Sequence, residues 1–292
     1  MDVKKTIMNL KSIQDYFRQE LNPLYDSQEV DVFFFWILET CFQCKKIDFV
    51  LGKDKLVSAA DSEKWNQYID ALKSYEPIQY LIGTTHFYGL DFKVNSNTLI
   101  PRPETEELVD WMLKDIANTN SSVSDLKILD IGTGSGCIPI TLAKHLPLAK
   151  IVSMDVSESA LEVAQQNADS NEVEVDFILQ NILELDCFPN VFDIIVSNPP
   201  YVRNSEKKYM KTNVLEYEPS LALFVSDEDP LIFYRKIAVL AHQNLNEDGL
   251  LYFEINQYLA QETHDMLVKL GFQNIEIKND FRGNPRMMRV KK

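Results

Sequence analysis

The chain has 292 residues, 45% of them hydrophobic and 25% charged, the make-up of an ordinary soluble globular protein long enough for a large core and a second domain. Its formal net charge of −15 speaks against a broad nucleic-acid surface, which needs clustered Lys and Arg to release counterions. The longest apolar run, 32–38, falls far short of the ~20 residues that span a bilayer, and residues 1–5 lead into no secretory h-region, so a cytoplasmic protein without membrane contact is expected.

Residues 1–75 carry helical periodicity, with Ile7, Leu10, Ile13, Phe17 and Leu21 recurring at helical spacing. Asn22-Pro23 breaks one helix and Gly52 ends another, which predicts a small bundle of four or five helices. The aromatic run Phe33-Phe34-Phe35-Trp36 is most simply its core, with a partner-binding face as the alternative. Cys41 and Cys44 lie within this helical pattern with no second pair, which reads as buried thiols rather than a zinc or redox site. The four histidines are scattered without ligand spacing, so no metal is assigned.

Between 75 and 103 the texture changes, and alternating aromatics around Gly89 predict a β-hairpin joining two domains. Leu99-Ile100-Pro101-Arg102-Pro103-Glu104-Thr105-Glu106 is a stiff loop, and Pro103-Glu104 starts a helix running through Trp111. Arg102 and Glu104 fit a capping loop with surface charges. Residues 118–125, rich in Ser and Asn, read as an exposed connection. From Lys127 onward strands are predicted at 127–131, 150–154, 173–179, 192–197, 249–255, 273–278 and 286–290, with helices near 137–146, 157–169, 230–245 and 257–270. That alternation means a doubly wound α/β sheet. The last two strands are too close for a crossover helix and should form an antiparallel hairpin.

Ile128-Leu129-Asp130-Ile131-Gly132-Thr133-Gly134-Ser135-Gly136-Cys137 is a strand, a glycine-rich turn and a helix start. Glycines let the backbone pass close to a ligand, and a helix N-terminus offers N–H groups. The turn gains weight from Asp155, which ends the next strand where an acidic side chain accepts both hydroxyls of a ribose. Ser157 fits the N-cap of the following helix, which leaves Asp155 for the ribose. Cys137 stands where a nicotinamide fingerprint has its closing Gly or Ala, and G-x-G-x-G suits a ligand without a pyrophosphate, S-adenosylmethionine. Gln180-Asn181-Ile182 is placed to meet the adenine, although an ordinary strand-end turn fits it as well.

The chemistry is expected at Ser197-Asn198-Pro199-Pro200-Tyr201, at the carboxyl end of the buried strand 192–197. The prolines fix φ and leave carbonyls free to accept hydrogen bonds. Asn198 adds a side-chain acceptor, and Tyr201 a flat ring for stacking. A planar substrate bearing an NH₂ group fits: a carboxamide, or the exocyclic amine of adenine.

These residues bring a family with them. The chain resembles the protein-(glutamine-N5) methyltransferases that modify peptide chain release factors, the PrmC/HemK family. The resemblance runs from about residue 75 to the C-terminus and rests on Pro77-Ile78-Gln79-Tyr80-Leu81-Ile82-Gly83, the 99–106 segment, the Gly132–Gly136 turn, Val196-Ser197-Asn198-Pro199-Pro200-Tyr201, Tyr217-Glu218-Pro219 with Ala222-Leu223, and 280–283 with Arg286. Asn-Pro-Pro-Tyr alone is shared with adenine-N6 methyltransferases; the 99–106 segment separates this family from them. Asn256 and Leu259 depart from it, standing where the family often has Gly and Gln.

The resemblance implies a class I S-adenosylmethionine-dependent methyltransferase with a seven-stranded sheet, and a helical domain at 1–75 that helps grip a release factor. A hairpin linker would occupy 76–105 and the catalytic domain 106–292. Transfer would go to the glutamine of the Gly-Gly-Gln motif. The implied cofactor residues are Gly132, Thr133, Gly134, Ser135, Gly136, Asp155, Asn181, Ile182 and Asn198. Asn198, Pro199, Pro200 and Tyr201 would hold the substrate, with Asn198, Pro199 and Tyr201 carrying catalysis. The alternatives are an adenine-N6 nucleic-acid methyltransferase, for which Lys207, Lys208, Lys211 and the basic tail offer a local patch, and a non-catalytic cofactor-binding module. The second would predict a degraded amide loop, whereas 198–201 is intact.

Overall fold

The computed structural model describes residues 8–118, 126–188 and 190–292. The opening residues 1–7, and the expected connection from 119 to 125, lie outside them. Contacts divide the chain into two compact units, one holding the chain up to Gly83 together with Thr212–Tyr217, the other Thr84–Lys211 and Glu218–Lys292.

The first unit is helical: α1 (Leu10–Leu21), α2 (Ser27–Phe42), α3 (Lys46–Gly52), α4 (Ala59–Lys73) and α5 (Ile78–Ile82). Asn9, Asp26 and Ser58 cap α1, α2 and α4 by accepting backbone N–H bonds, the role short polar side chains play at helix starts. Phe33 and Phe34 of the aromatic run are buried, while Trp36 is exposed. Trp65 of α4 stacks on Phe34 at 4.9 Å and on Phe42 at 5.0 Å, so the run does serve a core. Cys41 and Cys44 are free thiols packed against it.

The second unit begins with β1 (Thr84–Phe87) and β2 (Leu90–Lys93), an antiparallel hairpin in which Phe87 pairs Leu90. Its two-residue turn has Tyr88 at φ 47° and Gly89 at φ 78°, the left-handed pair that a tight hairpin requires. Then follow α6 (Pro103–Asn118), β3 (Lys127–Ile131), α7 (Cys137–His145), β4 (Lys150–Asp155), α8 (Glu158–Ser170), β5 (Asp176–Leu179), β6 (Phe192–Ser197), β7 (Val202–Arg203), then α9 (Thr212–Tyr217), which is counted with the first unit, and after it α10 (Ser220–Leu223), β8 (Phe224–Val225), α11 (Ile232–Asn244), β9 (Leu245–Glu254), α12 (Ala260–Lys269), β10 (Gln273–Asn279) and β11 (Pro285–Lys291) of the second unit.

Seven strands form one sheet in the order β10-β11-β9-β6-β3-β4-β5. From β9 to β5 neighbours run parallel, and β11 lies antiparallel to both β9 and β10. Alternate residues of β3 serve two cores: Leu129 and Ile131 pack with α11, Ile128 with α6 and α7. This is the doubly wound sheet. The chain leaves β3 toward β4 on one side and returns to β6 on the other, and such a switch point opens the crevice where ligands bind.

Several local features depart from the sequence pattern: β5 begins at Asp176 rather than 173, and α9 and α10 are short helices that the sequence pattern does not mark. β9 begins at Leu245 rather than 249, because Leu245 pairs Phe192 before a register shift resumes pairing at Leu250. β7 and β8 form a separate two-residue parallel pair, too short to leave any alternation in the sequence. No described helix is long and apolar enough to cross a membrane.

Candidate active site

The turn after β3 is held by its own backbone. Gly132 and Thr133 donate to the Met154 carbonyl at 2.8 and 3.1 Å, and Gly136 donates to Thr133 at 2.9 Å. Gly132, Gly134 and Gly136 sit at φ 89°, 53° and 83°, where a side chain is strained. At Gly136 a Cβ would also lie 2.6 Å from Ile140 Cδ1 and 3.2 Å from Ala164. Gly136 therefore serves the approach of α7 to α8 and is not among the cavity-lining residues, in contrast to the cofactor contact expected of it. Asp155 Oδ2 accepts from the Gly134 N–H at 2.8 Å and Oδ1 from the Ser157 N–H at 2.9 Å, while Ser157 Oγ caps α8 through the Ala160 N–H.

A cavity opens at the switch point. Gly132, Thr133, Gly134, Ser135, Asp155, Asn181, Ile182, Asn198, Pro199 and Pro200 all line it, together with Gln180, Cys137 and Leu99. It is open to solvent at its mouth, and its volume of about 1140 Å³ takes in that open space. Asn181 uses its side chain locally, accepting from the Leu183 N–H and donating to Glu184, and its carbonyl accepts from Gln180 Nε2 at 3.1 Å. A Cβ on Gly132 would stand 3.6 Å from the Asn198 carbonyl oxygen, so the loops after β3 and β6 are nearly in contact.

Behind the Asn198 loop lies a buried polar network. Glu254, ending β9, accepts from Thr105 Oγ1 at 2.6 Å and Asn198 Nδ2 at 2.9 Å on one carboxylate oxygen, and from the Tyr201 hydroxyl at 3.0 Å on the other. Asn198 Nδ2 also reaches Thr105 Oγ1 at 3.2 Å. Burial pushes the Glu254 carboxyl above its usual range, against the hydrogen bonds from Thr105 and Tyr201. Tyr201, expected as a stacking platform, is not among the lining residues. Its ring packs against the core shared by Tyr234 and Ile255, with the Arg286 guanidinium over it at 6.0 Å. Arg286 in turn pairs with Asp280 at 3.4 Å. Asn256, the departure noted above, is buried and donates to the Tyr201 carbonyl at 2.9 Å and to Glu206, pinning the exit of the loop.

Arg102 is not merely a surface charge. It lines the cavity and meets the buried Glu218 at 2.5 Å, while the Ile100 N–H reaches the other Glu218 oxygen at 3.3 Å. Glu254, Thr105 and Glu218 were not predicted as site residues, although all three stand in segments with a recognisable pattern. Their partners are far away in sequence, so only the fold brings them together.

The family models agree with this architecture: residues 110–217 match the methyltransferase small domain and residues 12–83 the PrmC N-terminal domain. The chain is 53% identical over 283 residues to the release factor glutamine methyltransferase of Flavobacterium psychrophilum, covering 97% of this chain and 99% of that protein. This chain belongs to the release factor glutamine methyltransferase family. A member from Bacteroides thetaiotaomicron is 41% identical over 96% of this chain and 99% of its own. The crystal structure of the hMettl16 catalytic domain with a MAT2A 3′UTR hairpin superposes with a TM-score of 0.54 at 17% identity, covering 70% of this chain and 76% of that one, a likeness of fold alone.

As a member of the family the chain is an S-adenosylmethionine-dependent methyltransferase, and its residues fit that cofactor. Each oxygen of the Asp155 carboxylate has lone-pair capacity beyond one backbone bond, enough to accept ribose hydroxyls. Asp130 Oδ2 accepts from Ser153 Oγ at 2.6 Å, but its buried Oδ1 has no partner. Asp130 is fully buried and does not line the cavity.

Proposed function

We propose that this chain transfers a methyl group from S-adenosylmethionine to the side-chain amide nitrogen (N5) of the glutamine in the Gly-Gly-Gln motif of peptide chain release factors. The observation that carries the reading is that the rigid acceptor loop Asn198-Pro199-Pro200 lines the same cavity as the glycine turn and Asp155. A substrate NH₂ is thereby brought beside a methyl donor.

An amide nitrogen is a poor nucleophile because its lone pair is delocalised into the carbonyl. Asn198 Oδ1 and the Pro199 carbonyl would accept its two N–H bonds and so orient the nitrogen. When bound, S-adenosylmethionine supplies an electrophilic methyl whose departure leaves a neutral thioether. No strong base is then required before transfer, and the proton lost afterwards passes to water. Positioning is the main contribution asked of the protein, for which the ceiling is ~7–11 kcal/mol. Gly132, Thr133, Gly134, Ser135, Asp155, Asn181 and Ile182 would hold the cofactor, and Tyr201 supports the substrate loop from behind. The relatives' names, which specify release factors and glutamine, favour the carboxamide over adenine, as does the net charge of −15.

The test is competition for labelled methyl. Given a purified release factor together with DNA and RNA, the protein should label the release factor and leave adenine unlabelled. Label on adenine with none on glutamine would replace this reading with the adenine-N6 one.

A further inference from the structure

A carboxamide has an acceptor end and a donor end of nearly the same size, and a flip about its last torsion exchanges them. At Asn198 the exchange would be fatal to a substrate NH₂, because a donor would face a donor. The polarity must therefore be set by what stands behind the side chain.

Two groups do so. Glu254 is buried at the end of β9, and the oxygen that takes the Asn198 Nδ2 bond at 2.9 Å also takes the Thr105 hydroxyl at 2.6 Å. Having donated its proton to Glu254, Thr105 Oγ1 has only lone pairs to offer Asn198, and the 3.2 Å contact between them uses the same Nδ2. Both neighbours thus demand the amide's donor end. Among the described residues no protein donor reaches Asn198 Oδ1. Arg286, a cation of the network, directs its bonds to Asp280, the Tyr201 hydroxyl and the Ile255 carbonyl.

We propose that Glu254 is a positioning residue that fixes the polarity of the Asn198 carboxamide, with Thr105 relaying the same demand, so that the site accepts an NH₂-bearing substrate. This rests on the amide-transfer reading and names the device behind its selectivity. Thr105 belongs to the 99–106 segment, which ties that segment to the substrate loop through one carboxylate. Without Glu254, the Thr105 hydroxyl would turn to donate to Asn198 and pull the acceptor end away from the cavity.

Glu254→Met removes the acceptor at similar volume. It is expected to lower kcat/KM on a release factor at least about tenfold, the consequence of one unpaired amide proton in a dry site. Its Kd for S-adenosylmethionine should stay within about threefold. In an Asn198→Ala background the same substitution should change the rate less than about threefold, because the group it acts through is gone. Glu254→Gln can turn its oxygen to Asn198 and Thr105 and its NH₂ to the Tyr201 oxygen, and should recover most of the lost rate. If Glu254→Met does not fold, amide exchange in the wild-type protein decides: the Asn198 side-chain protons should be protected, and exchange as fast as that of an exposed carboxamide overturns the proposal. Wild-type rates in Glu254→Met, losses that multiply with Asn198→Ala, or a Glu254→Gln enzyme as slow as the Met variant would overturn it too. A wild-type protein that never methylates a release factor would instead remove the functional reading, while the exchange measurement still judges the positioning role.

Discussion

Replacing Asp155 with Ala removes a carboxylate that holds the Gly134 and Ser157 amides and is proposed to accept a ribose. Losing two charge-assisted hydrogen bonds of ~1.5–3 kcal/mol each should raise the cofactor Kd by roughly 10² to 10⁴; calorimetry showing a change below about threefold would take Asp155 out of the site. Asp130 offers a pH test. Burial pushes its carboxyl up to about 7 from the ordinary 3.8, so the native state holds this proton more tightly than the unfolded chain. The resulting stabilisation is complete below 3.8 and is lost as pH rises through about 7. Asp130→Asn, which has no proton to lose, should show a flatter fall in thermal midpoint across that window. Equal slopes would mean that the Asp130 carboxyl is not held this way. At this scale the sequence was legible where chemistry is local: glycines with positive φ, an acid ending the next strand, and prolines after Asn198. It was silent on Glu254 and Thr105, because a carboxylate 149 residues from its hydroxyl donor leaves no periodic trace. Tyr201 misled for a related reason, since a ring reads as a platform until the fold shows which way it turns.

The glycine turn separates two reasons for a missing side chain. At Gly134 nothing lies within 4 Å of a built Cβ, whereas at Gly136 the side chain of Ile140 and residue Ala164 already fill that space. Gly134→Ala should therefore cost only the left-handed backbone penalty of ~1–2 kcal/mol. Gly136→Ala should cost more, because α7 must move away from α8; denaturant unfolding giving equal losses would contradict this. Strand alternation, helix caps such as Ser157 and the hairpin around Gly89 were readable as elements, because each is specified by residues within a few positions of one another. The β7 and β8 pair was not readable, and the start of β9 was hidden by Asn246-Glu247-Asp248-Gly249, which looks like a turn but sits at a register shift beside β6.

The larger unit owns both sheet cores, and the helical core belongs to the unit that ends at Gly83. A chain beginning at Thr84 should thus bind S-adenosylmethionine within about threefold of the whole protein. Its turnover of an intact release factor should fall sharply, since the helical unit, which also takes in α9, is proposed to grip that substrate. Full turnover by the shortened chain would make those helices merely structural. With a net charge of −15, the protein should not lose activity along the steep salt dependence of phosphate-driven binding. The most direct measurement is peptide-mapped mass spectrometry of a purified release factor after incubation with this protein and S-adenosylmethionine. One added methyl on the Gly-Gly-Gln glutamine is expected, formed at least about tenfold more slowly with Asn198→Ala; an unmodified glutamine, or a methyl on any other residue, would contradict the function proposed here.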